Sequence, residues 1–398
     1  MISLFDYDDE EMLTAKSGDF ERDNSQRWNA NNSVVWPDGG PSQPELIRQM
    51  LEMDRSQRGE PGIFSREAAI RMRPDRRAVL DRYSGGTSPE YGTNPCGEIT
   101  LRPYEFCNLS ISVARDGDTL EKLRDKVETA TLIGTIQSLA THFPYLRSAW
   151  AENGRLERLL GVDITGQLDC PAVQEPEVLR QLRQTVVETN RTFSEALGIN
   201  QSAATTCVKP SGNSAQLLQC SSGLHTRWSK YYIRNVRVSA TSPLFKVLRE
   251  AGVPMDPENG QTTDSAVTWV IHFPVASPEN AIVRTDRTAI DQCEYWKTVK
   301  LNWTEHNPSV TVTYRPNELM DITKWVWDNR DIVAGMTFLP VDDAQYVQLP
   351  YIEIDAEEYQ RLADLFPVVD FAKVYQHEID DQTTAAQELA CLGGICEV

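Results

Sequence analysis

What most limits the fold of this chain is an alternation, along most of its length, of amphipathic segments at helical spacing with short β-rich runs. From residue 119 to about 151 the apolar residues Leu120, Leu123, Val127, Ala130, Leu132, Ile133, Ile136 and Leu139 recur at three and four, which predicts one or two helices with a buried stripe. Pro176–Leu197 repeats the pattern through Val178, Leu179, Leu182, Val186 and Val187. Between and after these segments, β-rich runs lie at 204–208, 231–238, 267–273 and 310–314. Strands separated by amphipathic helices are covered by those helices, so an α/β architecture with buried strands is expected.

The two ends read differently. Residues 1–30 are polar and acidic, with Gly18 and Asn24 interrupting any helical period, and are expected to form loops and short helical turns outside the core. A strand-like run at 33–36, a Pro/Gly turn cluster at 37–44 and a helix at 45–53 carried by Leu46, Ile47, Met50 and Leu51 follow. The segment 376–398 is polar and acidic apart from a final cysteine pair, so the chain is expected to divide into a folded 1–375 and a mobile tail, 376–398.

Charge narrows the function. With 39 Lys and Arg against 58 Asp and Glu the formal charge is −19, a field that repels polyanions and anionic membrane surfaces. Polymeric nucleic acid and lipid headgroups are therefore not expected as partners. A small phosphorylated ligand is compatible, because a few local cations and backbone N–H groups can hold one. No stretch reaches the roughly 18 consecutive apolar residues of a membrane span, and the start carries Asp6, Asp8, Asp9, Glu10 and Glu11 where a signal peptide is basic, so a cytoplasmic location is expected. Eight cysteines in 398 residues are too sparse for a disulfide scaffold, which leaves buried, metal-binding or redox-active thiols.

Three places hold residues able to do chemistry. In Asn94-Pro95-Cys96-Gly97-Glu98-Ile99, Pro and Gly beside the cysteine put it on a loop, after the flexible Ser84-Gly85-Gly86-Thr87-Ser88-Pro89. If the segment is extended, alternation points Asn94, Cys96 and Glu98 to one face, where a thiol, a carboxylate and an amide would meet as a reactive cysteine and its base require. The plainer alternative is a turn with Cys96 merely buried. Cys107, in Phe106-Cys107-Asn108-Leu109-Ser110, sits among strand-like residues and alone reads as a packed core thiol. In Cys391-Leu392-Gly393-Gly394-Ile395-Cys396 two glycines let the sulfurs meet, and an acidic arm could carry them elsewhere; a metal loop is the alternative, although zinc would want a second Cys or His pair and His377 alone is a poor candidate. The loop Lys209-Pro210-Ser211-Gly212-Asn213-Ser214, between a strand-like run and a helix start, offers N–H groups and hydroxyls to an anion, or is an ordinary turn. Cys170, Cys207, Cys220 and Cys293 have no partner at metal-ligand spacing and are taken as structural. No metal site is expected.

Taken together, these segments resemble ribonucleotide reductases. Asn94 to Ile99 followed by Phe106 to Ser110 is similar to that family's active-site finger loop, and Thr205-Thr206-Cys207-Val208-Lys209-Pro210-Ser211-Gly212 resembles its substrate-phosphate loop. Ser222-Gly223-Leu224-His225 with Tyr231-Tyr232-Ile233-Arg234 resembles the adjoining strand region of the adenosylcobalamin-dependent class. Ala15-Lys16-Ser17-Gly18, Asn31-Asn32-Ser33, Gly59-Glu60-Pro61-Gly62-Ile63-Phe64 and the pair Cys391 and Cys396 fall in family order. The resemblance implies the C-terminal part of a ten-stranded α/β barrel whose finger loop carries the radical cysteine. It implies Cys96 as the thiyl that takes the 3′ hydrogen of the ribose, Glu98 as base at the 3′ hydroxyl and Asn94 as a hydrogen-bonding group for substrate. Cys107 would be one of two thiols that supply reducing equivalents at the 2′ carbon, and Pro210, Ser211, Gly212, Asn213 and Ser214 would hold the phosphates of a ribonucleoside di- or triphosphate. Cys391 and Cys396 would re-reduce the active-site disulfide and be recharged by thioredoxin or a similar reductant. Tyr346 has no adjacent second tyrosine, unlike the iron-dependent class, and the C-terminal region lacks the glycyl-radical motif, so adenosylcobalamin is the implied cofactor.

The sequence departs from the family at the front. No cysteine precedes Cys96, so the second thiol beside Cys107 is not assigned, and an N-terminal half on a separate chain is expected to complete the barrel. Alternatives are a non-catalytic remnant that binds nucleotide or a partner chain, a catalytic chain of the iron-dependent class, and a thiol-disulfide oxidoreductase working through Cys391 and Cys396 alone.

Overall fold

The computed structural model describes residues 2–27, 30–83, 90–341 and 348–378. Two compact units divide the chain, one of Met1–Thr226 with Asp286–Val341 and one of Arg227–Thr285 with Asp342–Val398. In chain order the strands are β1 (Ile2–Asp6), β2 (Asn31–Val35), β3 (Gly62–Phe64), β4 (Gly92–Thr93), β5 (Thr100–Leu101), β6 (Asn108–Val113) and β7 (Leu160–Thr165). They continue as β8 (Thr206–Cys207), β9 (Tyr231–Ser239), β10 (Met255–Pro257), β11 (Thr268–Ala276), β12 (Thr311–Tyr314), β13 (Gly335–Pro340) and β14 (Tyr351–Glu353).

In the first unit one sheet runs β1-β2-β3-β13-β12 and another β6-β7-β8. A parallel bridge between Val208 and Pro308, with Ser309 N–H donating to Val208 O at 2.8 Å, links β8 to the stretch that leads into β12. The ladder therefore passes through eight strands, parallel throughout except where β3 meets β13 antiparallel. All six residues of β7 are buried, as an apolar strand flanked by two parallel neighbours and covered by helices must be. Its cover is the helix Leu120–Gln137, capped by Thr119 on Lys122 N–H, against which packs the helix Pro176–Leu197, with Pro at its start and Gly198 at φ +66° just past its end. Gly134 allows the close approach: a Cβ there would lie 2.8 Å from Leu160 Cδ2. The fully buried Trp296 and Trp303 satisfy their indole N–H groups on Pro308 O at 2.7 Å and Cys207 O at 2.8 Å, tying the helix Ala289–Asn302 and the residue after it to the sheet.

Three expectations are corrected. Residues 1–30 are not all loop and helical turn: β1 pairs in parallel with β2 over five residues and buries Phe5, because a five-residue strand is too short to show periodicity and its partner lies 29 residues away at Ile2↔Asn31. Ile133, Ile136 and Leu139 do not join a buried stripe but are 51%, 54% and 43% exposed, while Thr131, Gly134 and Thr135 face inward. The runs at 231–238 and 267–273 are not strands buried throughout either. They form the second unit's antiparallel sheet, β10-β11-β9-β14, with one face half solvated. Within that unit Leu248, Val253 and Ile271 pack together, and Arg284 lies 3.8 Å over the Trp228 ring, which stacks on Tyr351.

Beneath the candidate site lies a buried charge network. Arg77, 1% exposed, meets Glu157 at 2.7 Å and Glu105 at 3.2 Å, donates to Thr100 O on β5 at 2.9 Å and lies 4.6 Å over the Tyr91 ring. Arg102 joins Glu157 to Asp81, which also accepts from Tyr91 Oη at 2.9 Å. Each carboxylate is faced by a guanidinium, the condition under which buried charges persist. These groups, drawn from residues 77 to 157, meet the β4–β5 hairpin through the Thr100 carbonyl on β5.

Candidate active site

The six residues 94–99 connect β4 to β5 in an antiparallel hairpin. Gly97 N–H donates to Asn94 O at 3.0 Å, and Gly97 adopts φ +79°, a conformation that favours glycine. Of the two readings, extended segment or turn, the connection is the turn, but with the burial reversed from the one expected of it: Cys96 is exposed and Glu98 wholly buried. Asn94 serves the turn itself, its Oδ1 accepting Ile99 N–H at 3.0 Å.

Groups from other elements fasten the tip. Asn31 Nδ2 donates to Pro95 O at 2.6 Å and Ser309 Oγ to Cys96 O at 2.5 Å. Asn307 donates its backbone N–H to Glu98 O at 2.9 Å, and its Nδ2 to Gly97 O at 3.1 Å and Gly335 O at 3.0 Å. Sequence reasoning did not single out Asn307 or Ser309. Their only signal is position, on either side of Pro308 and just ahead of β12.

Electrostatically the interior of the hairpin is poor in counter-charge. Among the described residues neither carboxylate oxygen of Glu98 has a hydrogen-bond partner of ordinary geometry. Burial raises the Glu98 pKa, opposed by the nearby Asn94 amide and Lys209 charge. Cys107 lies just before β6, half-buried, and burial pushes its thiol well above the usual value, with Glu105 and Glu98 adding to the rise. Cys207, taken as structural, is indeed buried on β8, as are Cys170, Cys220 and Cys293. Yet Cys207 lies within electrostatic reach of Cys107, Glu98 and Asp163, all of which raise its pKa. A resting thiol in such a place is protonated and inert as a nucleophile, which suits hydrogen-atom chemistry better than thiolate chemistry.

The loop after β8 has the expected place between a strand and a helix, here the short Ser214–Leu218. Ser211 is buried and donates both N–H and Oγ–H to Ser222 Oγ, at 3.1 and 2.9 Å, while Gly212 and Asn213 are exposed. Lys209 Nζ donates to Pro210 O at 3.1 Å. Gly223 packs against the loop so closely that a Cβ would lie 2.7 Å from Lys209 O. His225 is held in one tautomer: Nδ1 donates to Ser222 O at 2.9 Å, so Nε2 accepts Thr311 N–H at 3.1 Å, and burial lowers its pKa. Cys391, Cys396, Tyr346 and the 84–89 loop lie outside the described residues. Among the described residues no three His, Cys, Asp or Glu side chains gather as a metal site, and no helix is long and apolar enough to cross a membrane.

No protein-family model matches the chain. Curated relatives do. The adenosylcobalamin-dependent ribonucleoside-triphosphate reductase of Lacticaseibacillus paracasei is 26% identical over 439 aligned residues, covering 100% of this chain and 56% of the relative. The protein of the same name from Levilactobacillus brevis is 27% identical over 90% of this chain and 50% of its own length, and that from Lactobacillus leichmannii 24% identical over 100% and 56%. A crystal structure of a B12-dependent, class II ribonucleotide reductase superposes with a TM-score of 0.75 at 22% identity, over 96% of this chain and 55% of that one, which shows a shared fold. The chain spans about half the length of the curated relatives it matches. Over its whole length it is a homologue of about half of an adenosylcobalamin-dependent ribonucleotide reductase.

Proposed function

We propose that this chain carries the radical-bearing portion of a reductase that converts ribonucleoside di- or triphosphates to deoxyribonucleotides, with Cys96 as the thiyl. One observation carries the reading: an exposed thiol at the tip of a hairpin fastened by Asn31, Asn307 and Ser309, two residues from a buried carboxylate that makes no hydrogen bond of ordinary geometry among the described residues. An unpaired buried carboxylate is costly unless a ligand completes it, and a ribose hydroxyl is such a donor. Glu98 takes the proton of the 3′ hydroxyl, Asn94 holds the substrate, and Cys96 takes the 3′ hydrogen. Cys107 supplies one of the two reducing thiols at the 2′ carbon. Pro210 to Ser214 hold the phosphates through N–H groups and hydroxyls.

The exposed Cys96 fits a cofactor that must come within contact of its sulfur, and adenosylcobalamin, when bound, supplies the one-electron chemistry that removes the Cys96 hydrogen. In this reading the β4–β5 hairpin is the finger loop, and the eight-strand ladder is the larger part of a ten-stranded barrel. An N-terminal half on a separate chain supplies the rest of the barrel and the second reducing thiol. Cys391 and Cys396 re-reduce the disulfide and pass the oxidising equivalents to thioredoxin or a similar reductant.

The test is Cys96→Ala in the reconstituted enzyme. Deoxynucleotide formation is expected to be lost while equilibrium binding of a ribonucleoside triphosphate stays within about threefold; a variant that still forms product overturns the assignment.

A further inference from the structure

The ladder of the first unit breaks where the loop 210–214 begins, and one histidine closes the break. Val208 pairs in parallel with Pro308: Val208 N–H faces Asn307 O at 3.5 Å, and Ser309 N–H donates to Val208 O at 2.8 Å. One step further, a parallel ladder would have residue 210 donate to Ser309 O and accept from Thr311 N–H. Residue 210 is proline, with no N–H to give, and its carbonyl accepts from Lys209 Nζ at 3.1 Å instead. The chain turns away there into the loop, and His225 Nε2 accepts Thr311 N–H at 3.1 Å in place of the strand carbonyl.

The turn that delivers His225 is held from the neighbouring strands. Ser221 O accepts Gly166 N–H at 2.9 Å just past β7, and Gly223 N–H donates to Thr165 Oγ1 on β7 at 3.0 Å. Gly223, at φ +52°, lies so near the residue after β8 that a Cβ would stand 3.1 Å from Val208 Cγ1. The backbone N–H of His225 and its Nδ1 both donate to Ser222 O, at 2.8 and 2.9 Å. Nδ1 thus carries the proton and Nε2 the lone pair that Thr311 N–H requires; a doubly protonated ring has none to offer, and burial, which lowers the His225 pKa, favours the neutral form. This one turn serves both parts of the proposed site. Through Ser222 Oγ it accepts the N–H and Oγ–H of Ser211 in the loop. Through His225 it holds Thr311, two residues from Ser309, which fastens Cys96 O, and four from Asn307, which fastens Gly97 O and Glu98 O.

We propose that His225 is a positioning residue: its Nδ1-protonated imidazole stands in for a strand carbonyl and fixes the segment 307–311, and with it the anchor of Cys96, relative to the loop 210–214. That this spacing serves hydrogen transfer at a ribose whose phosphates sit in the loop rests on the function proposed above; the tether itself does not. The full chain tests it through His225→Gln, whose side-chain amide carries both a donor and an acceptor, and His225→Leu, which carries neither. In a chain 15N-labelled at its five histidines, the ring signals lost in His225→Gln are expected to be those of a neutral imidazole protonated at Nδ1. His225→Leu is expected to speed amide hydrogen exchange over residues 307–313 about tenfold and to change the rate at which iodoacetamide alkylates Cys96 by about threefold or more, while His225→Gln stays nearer wild type on both. A His225 protonated at Nε2, or a His225→Leu chain that matches wild type in both rates, overturns the proposal; the wild-type ring signals decide it even where His225→Leu fails to fold. In the reconstituted enzyme His225→Leu is expected to lower kcat about tenfold with KM within about threefold; a raised KM with kcat unchanged assigns His225 to phosphate binding alone and overturns the positioning role. The spectra, exchange and alkylation need no turnover, so a silent reductase assay with the tether present counts against the reaction and not against His225.

Discussion

At the scale of single residues, the chemistry is concentrated where side chains are denied water. Glu98 and Asp163 were unequally visible: Cys96, Glu98 and Cys107 stand in a recognisable order along the chain, but Asp163 lies in Leu160-Gly161-Val162-Asp163-Ile164-Thr165, which reads as a strand with one polar position. Its significance appears only when burial on both faces and the missing partner for Oδ2 are seen. A carboxyl whose pKa rises from 3.8 unfolded to about 8 folded binds a proton in the native state that the unfolded chain has lost. Stability therefore stands in full below about pH 4 and falls as pH climbs towards 8. Asp163→Asn removes that dependence. Its Tm relative to wild type is expected to rise steadily from pH 5 to pH 8, measured by calorimetry; a constant or shrinking difference contradicts the assignment of a raised pKa.

At the scale of elements, legibility followed length. Pro176–Leu197 was readable end to end, because 22 residues give several turns of periodicity and Pro and Gly mark its limits. β4 and β5 are two residues each and carry no pattern, so the hairpin that shapes the site was not foreseen, although a turn at 94–99 was one of the two readings the sequence left open. What holds the hairpin is equally non-local: Asn307 lies 210 residues from Gly97 in sequence. Asn307→Ala deletes the two hydrogen bonds from its amide and leaves the carbonyls of Gly97 and Gly335 to find other donors. The cost is expected to be about 1–3 kcal/mol in denaturant unfolding, with deoxynucleotide formation reduced at least tenfold and nucleotide affinity changed less than threefold. Equal losses in binding and turnover would mean that the clamp serves the fold alone.

At the scale of the whole molecule, the α/β class was legible in the sequence, and the superposed structure agrees with it. The strand count was not, since two of the eight strands in the ladder, β3 and β8, span three residues or fewer and β1 is too short to show periodicity. Among the described residues β1 and β6 have a neighbour on one side only. Beside β6 lies an open groove of about 410 Å³ lined by Ile111, Val113, Ala130 and Ile133. Unpaired edges with apolar flanks invite a complementary strand, and the chain covers 56% of the length of the Lacticaseibacillus paracasei relative. The central proposal is a reductase completed by a second chain. Its most direct test is conversion of a ribonucleotide to its deoxy form with adenosylcobalamin and a dithiol reductant, using the chain alone and then with a separately expressed N-terminal half. Product from the mixture and none from the chain alone is the predicted result; product from the chain alone contradicts the need for a complement, and none from the mixture contradicts the reductase itself.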